Sequence, residues 1–79
     1  MRTTVIIEKR GQGHTSTVSG QFGGGHTNAR AGITAEEAAA TAAKLMIQYG
    51  QPNPEGASLM APDDVMDLVP DHLRSISAS

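Results

Sequence analysis

The chain contains no cysteine and no tryptophan, and only one phenylalanine and one tyrosine among its 79 residues. Without cysteine there is no disulfide scaffold and no thiolate zinc site. With so few aromatics there is no set of large rings from which to line a cofactor cavity. Long apolar runs are also missing: none approaches the 18 residues of a membrane-spanning helix, and the start of the chain does not read as a signal peptide. Strong charge of either sign is scarce, with six basic residues against eight acidic ones. Residues 1–32 carry Arg2, Lys9, Arg10 and Arg30 against Glu8, a net of +3, and residues 33–79 carry a net of −5. Neither half is a polyelectrolyte of the kind that holds nucleic acid through many phosphates.

What is present is a single small domain spanning 1–79 with a thin core. Apolar residues make up 38% of the chain, and eleven of them are alanine. A chain of this size buries roughly 60–65% of its unfolded surface, so its stability is modest. Residues 3–10 are rich in β-branched side chains and read as a strand, with Val5 and Ile7 on one face and Ile6 on the other. Gly11-Gln12-Gly13 makes a turn. Residues 15–22 alternate, with Ser16, Val18, Gly20 and Phe22 pointing one way and Thr15, Thr17, Ser19 and Gln21 the other, so a hydroxyl-rich solvent face is expected. After Gly23-Gly24-Gly25, residues 26–31 form a third short strand, completing an antiparallel meander.

The clearest signal is a helix over 35–49. Thr34 and Glu37 stand at capping-box spacing, and Glu36 and Glu37 sit at the positive end of the helix dipole. Gly50 followed by Pro52 reads as the stop. Ala38, Ala42, Leu45 and Tyr49 share one face, and Glu37, Thr41, Lys44 and Gln48 another. Residues 51–56 read as a loop. Residues 57–74 stay open between strand and turn: 57–61 reads as a fourth strand, Pro62-Asp63-Asp64 as a hairpin turn or a helix start, and 70–74 as a proline-initiated helical turn. Residues 75–79 are expected to fray. The expected class is α+β: a small antiparallel sheet, built from the meander and a C-terminal strand or hairpin, packed on one amphipathic helix.

Chemical constellations are weak. His14, His26 and His72 show no metal-site spacing and read as surface histidines, two of them beside glycine turns. No Gly-x-Ser-x-Gly elbow occurs, and Asp71 and His72 are adjacent, which makes their side chains diverge. The carboxylate pairs Glu36/Glu37 and Asp63/Asp64 are explained by a helix cap and a turn. The glycine turns lack the dinucleotide and phosphate-loop patterns. A meander followed by an alanine-rich helix echoes part of the double-stranded RNA-binding architecture. Glu36 and Glu37, however, stand where that fold needs lysines. No enzyme, metal or cofactor is expected.

Four ordered runs carry a likeness: Ala29-Arg30-Ala31-Gly32, the alanine-rich helix through Leu45-Met46, Tyr49-Gly50-Gln51-Pro52-Asn53, and Val69-Pro70-Asp71-His72-Leu73-Arg74. Together they resemble the fifth family of type I-F anti-CRISPR proteins, small bacteriophage inhibitors. The likeness covers about residues 29–74 with gaps, and residues 54–61 depart from it. It implies a non-enzymatic inhibitor in the cytoplasm of the infected bacterial host. Such an inhibitor binds protein subunits of an RNA-guided surveillance complex, the large subunit first among them. It blocks DNA engagement or helicase-nuclease recruitment, with no direct nucleic-acid or membrane contact, as a monomer or weak homo-oligomer. Candidate partner-binding residues are Arg30, Tyr49, Asp63, Asp64 and Asp67, with Phe22 a weaker candidate. The alternative is a small phage structural or assembly protein that oligomerises through its sheet or helix.

Overall fold

The structure is a computed structural model and describes residues 2–20 and 29–77. A five-stranded sheet in the order β3-β2-β1-β4-β5 carries all the helices on one face. Its strands are β1 (Thr3–Arg10), β2 (Gly13–Ser19), β3 (Ala29–Gly32), β4 (Gly56–Met60) and β5 (Ser75–Ser77). The α+β class stands, and the sheet is mixed: β1 pairs antiparallel with β2 but parallel with β4. A parallel pair needs a crossover. Here that crossover contains a helical segment running from Ala35 to Gly50, which returns the chain to the free edge of β1.

Alternation in β1 and β2 sorts the two faces. Thr3, Val5 and Ile7 of β1, with His14, Ser16 and Val18 of β2, are buried beneath the helices. Thr4 and Ile6, with Thr15, Thr17 and Ser19, are half-buried on the opposite face. The hydroxyl-rich outer face expected for β2 is therefore present, although the strand starts two residues earlier than 15 and ends at Ser19. Phe22, the glycine run and the proposed strand start at 26 lie outside the described residues.

Helix α1 (Ala35–Leu45) begins with the expected box: the Glu37 N–H donates to Thr34 Oγ1 at 3.1 Å, and the Thr34 N–H donates to Glu37 Oε1 at 3.2 Å. The Thr34 backbone N–H, and then its hydroxyl, hold the Glu37 carboxyl below its ordinary value of 4.5, while burial pulls weakly the other way. A folded-state pKa lowered in this way contributes stability that is complete above 4.5 and is lost as the pH falls through the folded value. Melting temperature is therefore expected to drop on acidification below pH 4.5. Glu37→Gln, which still accepts hydrogen bonds but carries no charge, should drop less. Equal drops in both proteins would remove Glu37 as a contributor.

The alanines Ala38, Ala39 and Ala42 let α1 lie close on the sheet, and Met46 then fills the space at the far end with no exposed surface. Thr41, on the expected polar face, turns its hydroxyl to the sheet and donates to Ala31 O at 2.8 Å. From Met46 to Gly50 the coil widens into a π-helical turn. The helical run ends at Gly50 as expected, and although Gln51 keeps right-handed geometry (φ −64°, ψ −42°), Gly50 itself has no positive φ. Its function is closeness: a Cβ there would stand 2.8 Å from Ala57 Cβ and 2.9 Å from Ile76 Cδ1.

The following loop is anchored by Asn53, which is 4% exposed. Its Nδ2 donates to the buried Thr3 Oγ1 at 2.8 Å, and its Oδ1 accepts from the Glu55 N–H at 2.9 Å. Asn53→Ala would strip Thr3 of this donor and free the loop from its side-chain anchor. A loss of about 2–3 kcal/mol is expected by urea denaturation, since buried polar groups left unpaired are costly. A change below about 0.5 kcal/mol would mean that water replaces the amide at no cost.

Pro62-Asp63-Asp64 starts a helix rather than a hairpin turn: α2 (Asp63–Met66) buries Val65, and Val69 follows with 1% exposure. Pro70 opens α3 (Asp71–Arg74), which buries Leu73. Arg74 closes this turn by donating to Val69 O at 2.9 Å and pairing with Asp71 at 2.8 Å. Residues 75–77 do not fray. They form β5, antiparallel to β4, with Ile76 opposite Ala57. The segment is held by Arg2, whose guanidinium donates to Ser58 Oγ, Glu55 O, Ala57 O and Ser75 Oγ at 2.8–3.0 Å.

Candidate functional site

Helices cover one face of the sheet, and among the described residues no element covers the other. Its side chains follow from strand parity: Thr4, Ile6 and Glu8 on β1, Thr15, Thr17 and Ser19 on β2, and Ser58 and Met60 on β4. Ile6 and Thr17 are register partners, as are Ile6 and Met60, so a small apolar centre (Met60 is 58% exposed) lies among hydroxyls.

Where β2 meets β3 the ladder slips between His14 and Thr15: Gly32 pairs with His14 and Arg30 with Thr15, leaving Ala31 as the extra residue of a bulge. Bulges re-aim the side chains beside them. Ala31 turns inward to 2% exposure, while Arg30 stands exposed. Gly32 has φ +127°, and a Cβ on it would meet the Glu37 Cβ, so only glycine lets the strand turn into α1 here. Beside this bulge a cleft of about 420 Å³ opens between the β1–β2 turn and β3. Arg10, Gln12, Thr15, Arg30 and Ile33 line it, and His14 forms part of its wall.

His14 is not a surface turn residue. The inward parity of Ser16 and Val18 extends back to it, and it is 5% exposed. Its Nδ1 lies 3.3 Å from Gly32 O, which ties β2 to the bulge, while the buried Nε2 has no hydrogen-bond partner among the described residues. An unpaired buried nitrogen costs about 1–3 kcal/mol, a local deficit at the wall of the cleft.

The candidate residues do not converge. Arg30 lies in the cleft. Tyr49 is half-buried in the π turn and packs against the core. Asp63, Asp64 and Asp67 are exposed around α2, on the helix-covered side of the sheet. Asp64 accepts from Lys9 Nζ at 3.4 Å. Burial draws its carboxyl upward, but the Lys9 charge and the hydrogen bonds from Lys9 and the backbone outweigh this and leave it below its ordinary 3.8. Among the described residues no group of three His, Cys, Asp or Glu is arranged to hold a metal. His72 is exposed on α3, and His26 lies outside the described residues.

The cleft side chains missed in the sequence are Arg10, Gln12, His14, Thr15 and Ile33. For His14 and Thr15 the signal existed, because β2 alternation continues back to Gly13. For Arg10 it did not, since only the hairpin register brings residue 10 opposite residue 13. Among the described residues, no helix is long and apolar enough to cross a membrane. Compared with known proteins, the sequence matches no family model and no curated protein.

Proposed function

We propose that this chain is a non-enzymatic inhibitor that binds the RNA-guided surveillance complex of a type I-F CRISPR system in the cytoplasm of a phage-infected bacterium. It occupies a protein surface of that complex, with the large subunit as first candidate. It thereby blocks target-DNA engagement or recruitment of the helicase-nuclease. The observation that carries the reading is the open sheet face with its arginine-lined cleft, a surface fixed by a fold several of whose key positions lie in the runs that carry the family resemblance. Gly32 permits the turn into α1, Gly50 seats the π turn on β4 and β5, Asn53 pins Thr3, and Val69, Leu73 and Arg74 close the C-terminal turn. The chain exposes 4609 Å², and a standard interface needs about 800 Å² from each partner, which one sheet face supplies in large part.

The test is size-exclusion chromatography of the purified chain with guide-loaded complex, with and without target DNA. Stoichiometric co-elution in at least one state is expected, and its absence in both rejects the reading. A second reading, a phage structural or assembly protein that self-associates, is favoured by one feature: β3 and β5 are sheet edges, and edges invite strand pairing. Light scattering that gives the mass of one chain at working concentration rejects it.

A further inference from the structure

The six basic side chains divide sharply by what holds them. Arg2 donates four hydrogen bonds to β4, β5 and the loop before β4, Lys9 pairs with Asp64, and Arg74 pairs with Asp71. Lys44 stands on the exposed face of α1. Arg10 and Arg30 remain, and both line the same cleft. Arg10 pairs with Glu8 only at 4.0 Å, the limit of an ion pair, and Arg30 has no ion pair among the described residues. Among the described residues no carboxylate lines the cleft. Two guanidiniums thus line one cleft, with only the long Glu8 contact beside Arg10 to offset them, in a chain whose net charge is −2.

We propose that this cleft binds a carboxylate of an acidic segment in the partner protein, an Asp or Glu side chain received by Arg10 and Arg30. This rests on the reading of the chain as a protein-binding inhibitor. Guanidinium groups match carboxylates in a planar, two-pronged geometry. Gln12 and the Thr15 hydroxyl add neutral donors, and Ile33, 60% exposed at the rim, offers apolar contact to the aliphatic stem of the incoming residue. The volume of about 420 Å³ suits one side chain and its backbone. The hydrogen-bonding contact from His14 to Gly32 O and the bulge hold the wall in place before anything binds, which lowers the ordering cost of association. A nucleic-acid phosphate backbone is the poorer occupant, because polyanion binding draws on many cations and this cleft offers two.

The experiment is an NMR titration of the full ¹⁵N-labelled chain with a capped glutamate-containing peptide, its glutamine counterpart, and a single-stranded oligonucleotide. The glutamate peptide is expected to shift the amides of Gln12 to Thr15 and Arg30 to Ile33 saturably, with affinity on the order of 1 mM. The glutamine peptide should not. The doubly substituted Arg10→Gln/Arg30→Gln chain, whose dispersed spectrum shows that it folds, should bind at least about tenfold more weakly. No shift at about 10 mM peptide, equal shifts from the glutamine peptide, or tighter saturation by the oligonucleotide overturns the proposal. A second arm compares both chains on guide-loaded complex. Equal affinities overturn the cleft and leave the inhibitor reading standing. If the natural chain does not co-elute, the inhibitor reading falls, and the peptide titration still decides the cleft.

Discussion

Met46→Ala is expected to cost about 2–5 kcal/mol, the range for truncating a fully buried methionine. Among the described residues Met46 is the largest side chain with no exposed surface, and it stands at the junction of α1 and the π turn. The alanines before it contribute closeness but little volume, so Met46 supplies bulk that no neighbour can replace by a small shift. Domains of this length carry roughly 4–12 kcal/mol in all, so the substitution removes a large share of the total. Melting should fall by about 4–8 °C for each kcal/mol lost. Met46→Leu, nearly equal in volume, should cost less than about 1.5 kcal/mol. If alanine cost no more than leucine in urea denaturation, the core would be more adaptable than its burial implies.

Gly56→Ala is expected to be nearly as damaging, for a different reason. Gly56 has φ +82°, a conformation that costs an L side chain about 1–2 kcal/mol. A Cβ there would also meet the backbone oxygen of Ile76, across the β4–β5 seam. The Ile76 oxygen belongs to the backbone and not to a flexible side chain, so β5 itself must move. A total of about 2–4 kcal/mol is expected from the two effects together. Amide exchange at Ser75–Ser77 should accelerate before that of β1 does. Gly11→Ala is the control: Gly11 also has positive φ, at +57°, but nothing lies within 4 Å of its missing Cβ. It should lose only about 1 kcal/mol, the cost of the backbone conformation alone. Similar losses at the two sites would place the whole effect in the dihedral angle and none in the seam.

These two positions also mark what the sequence discloses and what it does not. The start of α1 is legible because a capping box is local, written in Thr34 and Glu37 three residues apart. The first strand is legible from β-branched residues, and the outward hydroxyls of β2 from alternation. The π turn is not legible, because it depends on how Gly50 meets Ala57 and Ile76, which come later in the chain. The parallel pairing of β1 with β4 is hidden for the same kind of reason: register between residues some 54 apart in sequence is set by packing. Ser75-Ile76-Ser77 is too short to show a period and becomes a strand only because Arg2 and β4 receive it. Within the cleft, Arg30 stands out in the sequence as an isolated cation. Arg10 looks like the end of a strand until the hairpin register and the bulge bring both to one place.

The proposed function requires a preformed surface, the open sheet face with its cleft, to meet a much larger partner. Hydrogen–deuterium exchange of the chain alone and bound to guide-loaded surveillance complex tests it most directly. Slower exchange on binding in β2, β3 and the β1–β2 turn, with α1 already protected in the free chain and unchanged, is the predicted result. Protection gained only along the helices, or a free chain whose strands exchange as fast as an unfolded one, would contradict it.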